Sequence, residues 1–270
     1  MLPHKGRPNL ADRELIRREQ AFYDRRWAAS SLTEGERDRI AQTIAALPPD
    51  CKRILDVGCG DGRVSQEVSA KSGSFLVAFD LSMVALRGLS LPKCCGSAAE
   101  LPFRDRSFDL VMATEIMEHL PDSLYPQVLA EMSRITGRYV LITVPNSENL
   151  QEHTAACGAC GSKFHIWGHV RSYTSAVMES LFAGFRLVRS FTFGEAVDTY
   201  NKPLLFLRQK VAGGYYWEDG TVCHSCQAPG TPEVRWPFLV RVCDALNARL
   251  WARFFRRRGW VLGLWEREKI

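Results

Sequence analysis

The chain has 270 residues, 46% of them hydrophobic and 24% charged, enough for one α/β domain plus an accessory element and too well mixed for wholesale disorder. No apolar run reaches the length of a bilayer span and the first twenty residues lack the apolar core of a secretory signal, so a cytoplasmic location is expected. The net charge of +5 is too small to argue by itself for a polyanionic partner.

Residues 10 to 29 read as an amphipathic helix carrying Leu15, Ile16, Phe22, Tyr23 and Trp27. A second helix places Ile40, Ile44 and Leu47 on one stripe and stops at Pro48-Pro49. The texture then changes. Four short apolar runs follow: Arg53 to Val57, Phe75 to Phe79 ending at Asp80, Phe108 to Ala113, and Arg138 to Val144. Near-continuous apolar strands belong to a parallel sheet covered on both faces. Helical segments at 63–71, 82–89 and 122–134 alternate with them, which predicts a doubly wound α/β sheet. After residue 150 the alternation breaks. A Cys/His/Gly-rich stretch precedes a helix near Thr174, and Phe185 to Thr192 reads as a strand. A long insertion then carries a helix around 238–256, and Trp260 to Trp265 reads as a closing strand. The expected organisation is a helical cap over 1–50, a core over 51–195 with a Cys-rich loop at 151–172, an insertion over 196–258, and a closing strand over 259–270.

The run Ile54-Leu-Asp-Val-Gly-Cys-Gly-Asp-Gly62 leaves a buried strand and enters a helix. Its glycines allow a tight turn and close approach of a ligand, and the helix N-terminus behind them offers free N–H groups. Arg63 stands where a dinucleotide fingerprint has its third glycine. Asp80 closes the next strand, where a carboxylate suits two ribose hydroxyls. The ligand therefore carries a ribose, without a required pyrophosphate.

ILDVGCGDG resembles motif I of the class I S-adenosylmethionine (SAM)-dependent methyltransferases. Gly96-Ser-Ala-Ala-Glu-Leu-Pro-Phe103 and Ser107 to Leu120 resemble further motifs of that family, in order and at family-like spacing. The resemblance covers about residues 51–146 and implies a seven-stranded, mostly parallel sheet. It implies that Asp56, Gly58, Cys59 and Gly60 shape the pocket for the methionine end of SAM. Asp80 would hold the ribose, with Leu81 against the adenine and Ser97 and Ala98 at its edge. Many relatives have Asp where this chain has Ser97. Thr114 and Glu115 would face the sulfonium, and Tyr23 and Trp27 would close the site from the N-terminal helices; ordinary helix packing explains these two equally well.

Methyl transfer asks mainly for in-line placement of the acceptor with water excluded, and for a base when the acceptor is an alcohol. The candidates are His119, His165, His169 and Tyr173. His119 lies in a family-like Glu-His-Leu, and His169 lies in Gly168-His-Val-Arg-Ser-Tyr-Thr174, a stretch resembled by many small-molecule methyltransferases. Packing and loop-capping roles are the competing readings for both.

Nine cysteines in a chain without an export signal argue against a disulfide framework. Cys157-Gly-Ala-Cys160 and Cys223-His-Ser-Cys226 have zinc-knuckle spacing, and together they can supply four ligands to a structural zinc. His153, His165, His169 or His224 could replace one cysteine. Reduced surface thiols are the bland alternative.

The tail from Arg235 carries Leu239, Cys243, Leu246, Leu250 and Phe254 on one helical stripe, with Arg249, Arg253, Arg256, Arg257 and Arg258 clustered at its end. A cap helix whose basic end suits its dipole is the simplest reading. Contact with an anionic membrane surface or a phosphorylated lipid-linked substrate is a second, and RNA a third. No RNA-binding module is recognisable, and Val144-Pro-Asn146 stands in place of the Asn/Asp-Pro-Pro-aromatic motif of many nucleic-acid amino-methylating enzymes. The expected activity is SAM-dependent methylation of O or N on a small or medium acceptor such as a sugar, a lipid-linked glycan or a natural product. The alternatives are an RNA methyltransferase with a zinc lid and a SAM-binding module that transfers nothing.

Overall fold

The computed structural model describes residues 9–27, 34–218, 221–229 and 234–269. Two helices come first, α1 (Leu10–Trp27) and α2 (Glu34–Ala45). The side chain of Trp27 lies outside the described residues. Strand β1 (Arg53–Val57) leads into α3 (Arg63–Ser72), β2 (Phe75–Asp80) into α4 (Met83–Leu86), and β3 (Lys93–Cys95) is followed by β4 (Phe108–Thr114). Then come α5 (Tyr125–Ile135), β5 (Thr136–Pro145), a small hairpin of β6 (Thr154–Ala156) and β7 (Lys163–His165), and α6 (Ser175–Glu179). Strand β8 (Phe185–Asp198), helices α7 (Lys202–Phe206) and α8 (Pro237–Leu246), and β9 (Arg256–Arg267) complete the described elements.

Seven strands form one sheet in the order β3-β2-β1-β4-β5-β9-β8. The first five pair in parallel and β9 runs antiparallel to β5, with Trp260 opposite Pro145. This is the seven-stranded, mostly parallel class I methyltransferase arrangement. Alternation along each strand builds two cores. Leu55, Val57, Val111, Ala113, Ile142 and Val144 join α5 (Val128, Met132, Ile135) on one face. Ile54, Leu76, Ala78, Leu110, Met112 and Leu141 join Val64 and Val68 of α3 and Ile40 of α2 on the other. Truncating a fully buried member such as Leu55 or Met132 to Ala costs about 2–5 kcal/mol.

The chain divides into two compact units: residues 1–145, 173–194 and 260–270 in one, residues 146–172 and 195–259 in the other. The Cys-rich loop thus groups with the long insertion.

Several elements differ from the sequence expectation. The segment 82–89 is helical only over Met83–Leu86. Strand β3 and the β6–β7 hairpin, each strand three residues long, are too short for a periodic signal. The helix expected to 256 ends earlier: α8 opens into a π-helical turn at Asn247–Trp251, and β9 begins at Arg256. Arg256 to Arg258 are therefore strand residues, and a helix-dipole role fits Arg249 of the last turn but not them. The apolar stripe is largely exposed. Cys243 is buried, while Leu246, Leu250 and Phe254 are 40, 66 and 75% exposed.

Candidate functional site

The loop after β1 makes a cradle. Gly58, Gly60 and Gly62 all have positive φ, which costs a glycine nothing and an L-residue strain. Gly58 admits no side chain, because a Cβ there would lie 2.5 Å from Ile116 Cδ1. At Gly62 a Cβ would lie 2.4 Å from Leu89 Cδ1, the movable end of a side chain, so its φ of 77 is the stronger constraint. The Gly60 N–H donates to Asp80 Oδ2 at 2.7 Å, and the Ser82 N–H donates to Asp80 Oδ1 at 2.7 Å. Burial pushes the Asp80 carboxyl upward, opposed by these N–H groups. Asp56 sits beneath the loop, fully buried, and accepts the Ser65 hydroxyl at 2.6 Å. Burial raises its pKa to about 7 against that hydrogen bond. Its second oxygen has no donor among the described residues.

Above this cradle opens a cleft within the first unit. Tyr23, Gly58, Asp80, Leu81, Ser97, Ala98, Glu115 and His119 all line it. Asp56, Cys59, Gly60 and Thr114 lie behind the wall: Cys59 and Thr114 are 8 and 6% exposed, and the Cys59 N–H donates to Phe79 O. Helix α1 forms one side through Ile16, Glu19 and Tyr23. It is fastened by Asp24, which accepts the Ser82 hydroxyl. Tyr23 meets the His119 imidazole edge-on, centroids 5.9 Å apart, so one cap residue and one candidate base share a wall.

Glu115 follows β4 with φ 58, in the left-handed region. A non-glycine residue held there stores strain, a frequent mark of a functional position. Its N–H donates to Thr143 O at 2.9 Å and its carboxylate accepts the Trp260 indole N–H at 3.0 Å. No sequence signal joins residues 145 positions apart, and Trp260 was legible only as part of a closing strand. Tyr173 is unsuited to act as a base. It is fully buried, and its hydroxyl donates to Met117 O and shares a second hydrogen bond with Tyr125 Oη.

The second unit holds two clusters. In the first, Cys157 Sγ lies 3.6 Å from Cys226 Sγ and Cys160 Sγ lies 3.7 Å from Cys223 Sγ. All four sulfurs are within 4.8 Å of one another. Zinc–sulfur bonds of about 2.3 Å put the edges of a tetrahedron near 3.8 Å. The two turns match: Gly161 and Gln227, each just after the second cysteine of its pair, have positive φ, and each donates its N–H to the carbonyl of the first cysteine, at 2.9 Å. The Ser225 N–H points at Cys223 Sγ at 3.4 Å. The residues fit a four-cysteine zinc site. No histidine is needed, since His224 packs on Phe164.

In the second cluster, Glu148 is 5% exposed among His153, His165 and His169. His169 Nδ1 lies 2.6 Å from Oε2, His165 Nε2 lies 3.3 Å from Oε1, and His153 Nδ1 lies 3.5 Å from Oε1. Burial opposes ionisation of Glu148, yet the three imidazoles hold its carboxyl well below the usual range. The backbone N–H of His169 donates to His165 Nδ1 at 3.3 Å, which leaves the proton of a neutral His165 on Nε2. The rings of His165 and His169 stack at 4.5 Å and 15°, so their nitrogens address separate oxygens. The carboxylate fixes His169 by Nδ1. Sequence reasoning named His169 and missed Glu148, 21 residues earlier in an irregular segment.

Residues 54–138 match a family model described as a methyltransferase domain. The chain is 34% identical over 145 residues to a probable tocopherol O-methyltransferase of Oryza sativa subsp. japonica, covering 45% of this chain and 39% of that protein. It is 36% identical over 103 residues to a demethylmenaquinone methyltransferase of Corynebacterium urealyticum, covering 37% of this chain and 43% of that protein. The chain thus spans about two fifths of the length of these relatives. A solved SAM-dependent methyltransferase from Archaeoglobus fulgidus shares the fold over 92% of this chain and 99% of its own, with a TM-score of 0.51 at 19% identity.

Proposed function

We infer, from the class I methyltransferase domain this chain carries, that it transfers a methyl group from SAM to an oxygen or nitrogen of a small or medium acceptor. The single observation that carries this is the carboxylate of Asp80 on the wall of the cleft, tied to the Gly60 N–H of the glycine cradle. When bound, SAM supplies an electrophilic methyl group on a sulfonium. The chain's own part is to bind and orient. Asp80 takes the ribose hydroxyls, Leu81, Ser97 and Ala98 flank the adenine, and the Gly58 cradle receives the methionine end. Glu115, held by Trp260, sets negative charge at the end of β4. Helix α1 excludes water through Tyr23. His119 is the candidate base on the cleft wall, and His169, clamped by Glu148, is the candidate of the second unit. A structural zinc at Cys157, Cys160, Cys223 and Cys226 closes its coordination shell with thiolates and takes no part in transfer.

The relatives named for tocopherol and demethylmenaquinone support a small-molecule acceptor over a nucleic acid. Methyl-labelled SAM incubated with the protein and with lysate fractions of small molecules, lipids, RNA and protein tests this. Label in the small-molecule or lipid fraction, lost with Asp80→Ala, is expected. Label in RNA would replace this acceptor class, and SAM binding without label in any fraction would favour a module that binds and does not transfer.

A further inference from the structure

The helical part of the second unit is turned inside out relative to an ordinary soluble helix. Along α8 and the π-helical turn after it, the small side chains face inward: Cys243, Asn247 and Ala252 are 0, 6 and 5% exposed. Leu239, Val240 and Trp251 are half-buried, but several large apolar side chains of the segment face water. Trp236 is 61% exposed, Phe238 81%, Leu250 66% and Phe254 75%. A helix packed on a core does the reverse. Trp251 stacks on Phe255 at 3.9 Å and donates to Thr199 Oγ1, so the end of the segment is held rather than loose.

The charge on the same segment has one sign. Between Val234 and Arg258 there are seven arginines and one acid, Asp244. Asp244 is engaged by Arg208 at 2.7 Å and by the Tyr200 hydroxyl at 2.8 Å. Arg235, Arg241, Arg249 and Arg253 are exposed and have no acidic partner among the described residues. Arg249 precedes the exposed Leu250, and Arg253 precedes the exposed Phe254 in the turn after the π-helical segment. Exposed aromatic and aliphatic side chains interleaved with arginines are the composition of a helix lying in a lipid interface, rings in the acyl boundary and guanidinium groups among phosphates.

We propose that Trp236–Phe255 docks the protein on an anionic bilayer surface, with Phe238, Leu250 and Phe254 inserted and Arg249 and Arg253 on lipid phosphates. This goes beyond the methyl-transfer reading and does not depend on it, because docking is measured without SAM or acceptor. A second copy of the chain fits poorly: two such faces brought together would set unpaired arginines against arginines.

The test is co-sedimentation of the full chain with vesicles of pure phosphatidylcholine and of phosphatidylcholine with an equal share of phosphatidylglycerol. Binding to the anionic vesicles at least about tenfold tighter than to the neutral ones is expected. Higher ionic strength should weaken it without abolishing it. Arg249→Gln with Arg253→Gln, and separately Phe238→Ser with Leu250→Ser and Phe254→Ser, should each weaken it about tenfold. Unchanged thermal unfolding shows that these exposed substitutions leave the fold intact. Lipids brominated in the acyl chain should quench part of the tryptophan fluorescence, and Trp236→Phe should reduce that quenching. Equal binding to both vesicles, no binding, or a dimer that the serine variant dissociates would each overturn the proposal. So would an RNA homopolymer that binds tighter than the vesicles and responds to the arginine substitutions alone.

Discussion

The indole N–H of Trp260 donates to the Glu115 carboxylate at 3.0 Å, from the last strand of the sheet to the residue after β4. The ring is seated independently by stacking on Phe193, centroids 6.0 Å apart, over Gly194, where a Cβ would come within 2.5 Å of the indole. The antiparallel closing strand therefore orients a strained residue on the cleft wall.

Trp260→Phe keeps the stacking and removes the donor. A hydrogen bond to a charged acceptor contributes about 1.5–3 kcal/mol. On the proposed placement of SAM against Glu115, SAM affinity measured by calorimetry should fall about tenfold, with a small change in melting temperature. Glu115→Gln, which still accepts the indole N–H but lacks the charge, should weaken SAM binding as well. Unchanged affinity in both variants would remove Glu115 from the binding site.

Asp56 predicts a pH dependence. Its folded pKa is about 7, above the ordinary 3.8, through burial. Protonation thus favours the folded state. The contribution is fully present below about pH 4 and lost as pH rises through about 7. Melting curves of the wild type and Asp56→Asn without SAM should coincide near pH 4 and separate by pH 8, with the variant higher. Curves that stay parallel across this range would mean that Asp56 does not titrate in it.

The four-cysteine centre predicts one zinc per chain by elemental analysis, lost in Cys223→Ser and after a strong chelator. Loss should lower the melting temperature of the second unit, since binding free energy at such sites is folding free energy. Gln227 offers a finer check. It has φ 62 where the matching turn has Gly161, and an L-residue there costs roughly 1–2 kcal/mol. Gln227→Gly should keep the zinc and raise stability. A variant that loses zinc would contradict the matched-turn geometry.

Much of the first unit was legible because its signals are local. The strands β1, β2, β4 and β5 are short apolar runs, the glycine loop adjoins one of them, and Asp80 ends the next. The cysteine pairs were legible for the same reason, two ligands three residues apart on a turn. What escaped reading joins distant segments: Trp260 to Glu115, Asp24 to Ser82, and Glu148 to His165 and His169. Which side the α8 stripe faces was not legible, because helical periodicity finds a stripe and cannot say which side it presents to water. Leu250 and Phe254 repeat correctly and are exposed, while the buried positions are the small residues Cys243, Asn247 and Ala252, of which only Cys243 belongs to the stripe.

The most direct test of the central claim is equilibrium binding of SAM to the purified chain and to Asp80→Ala, with circular dichroism to verify folding. One SAM per wild-type chain, and an affinity at least about 30-fold lower in the variant, is the predicted result, corresponding to about 2 kcal/mol of charge-assisted hydrogen bonding to the ribose. Equal affinity in the two proteins, or no binding by the folded wild type, would contradict the assignment of this cleft to SAM.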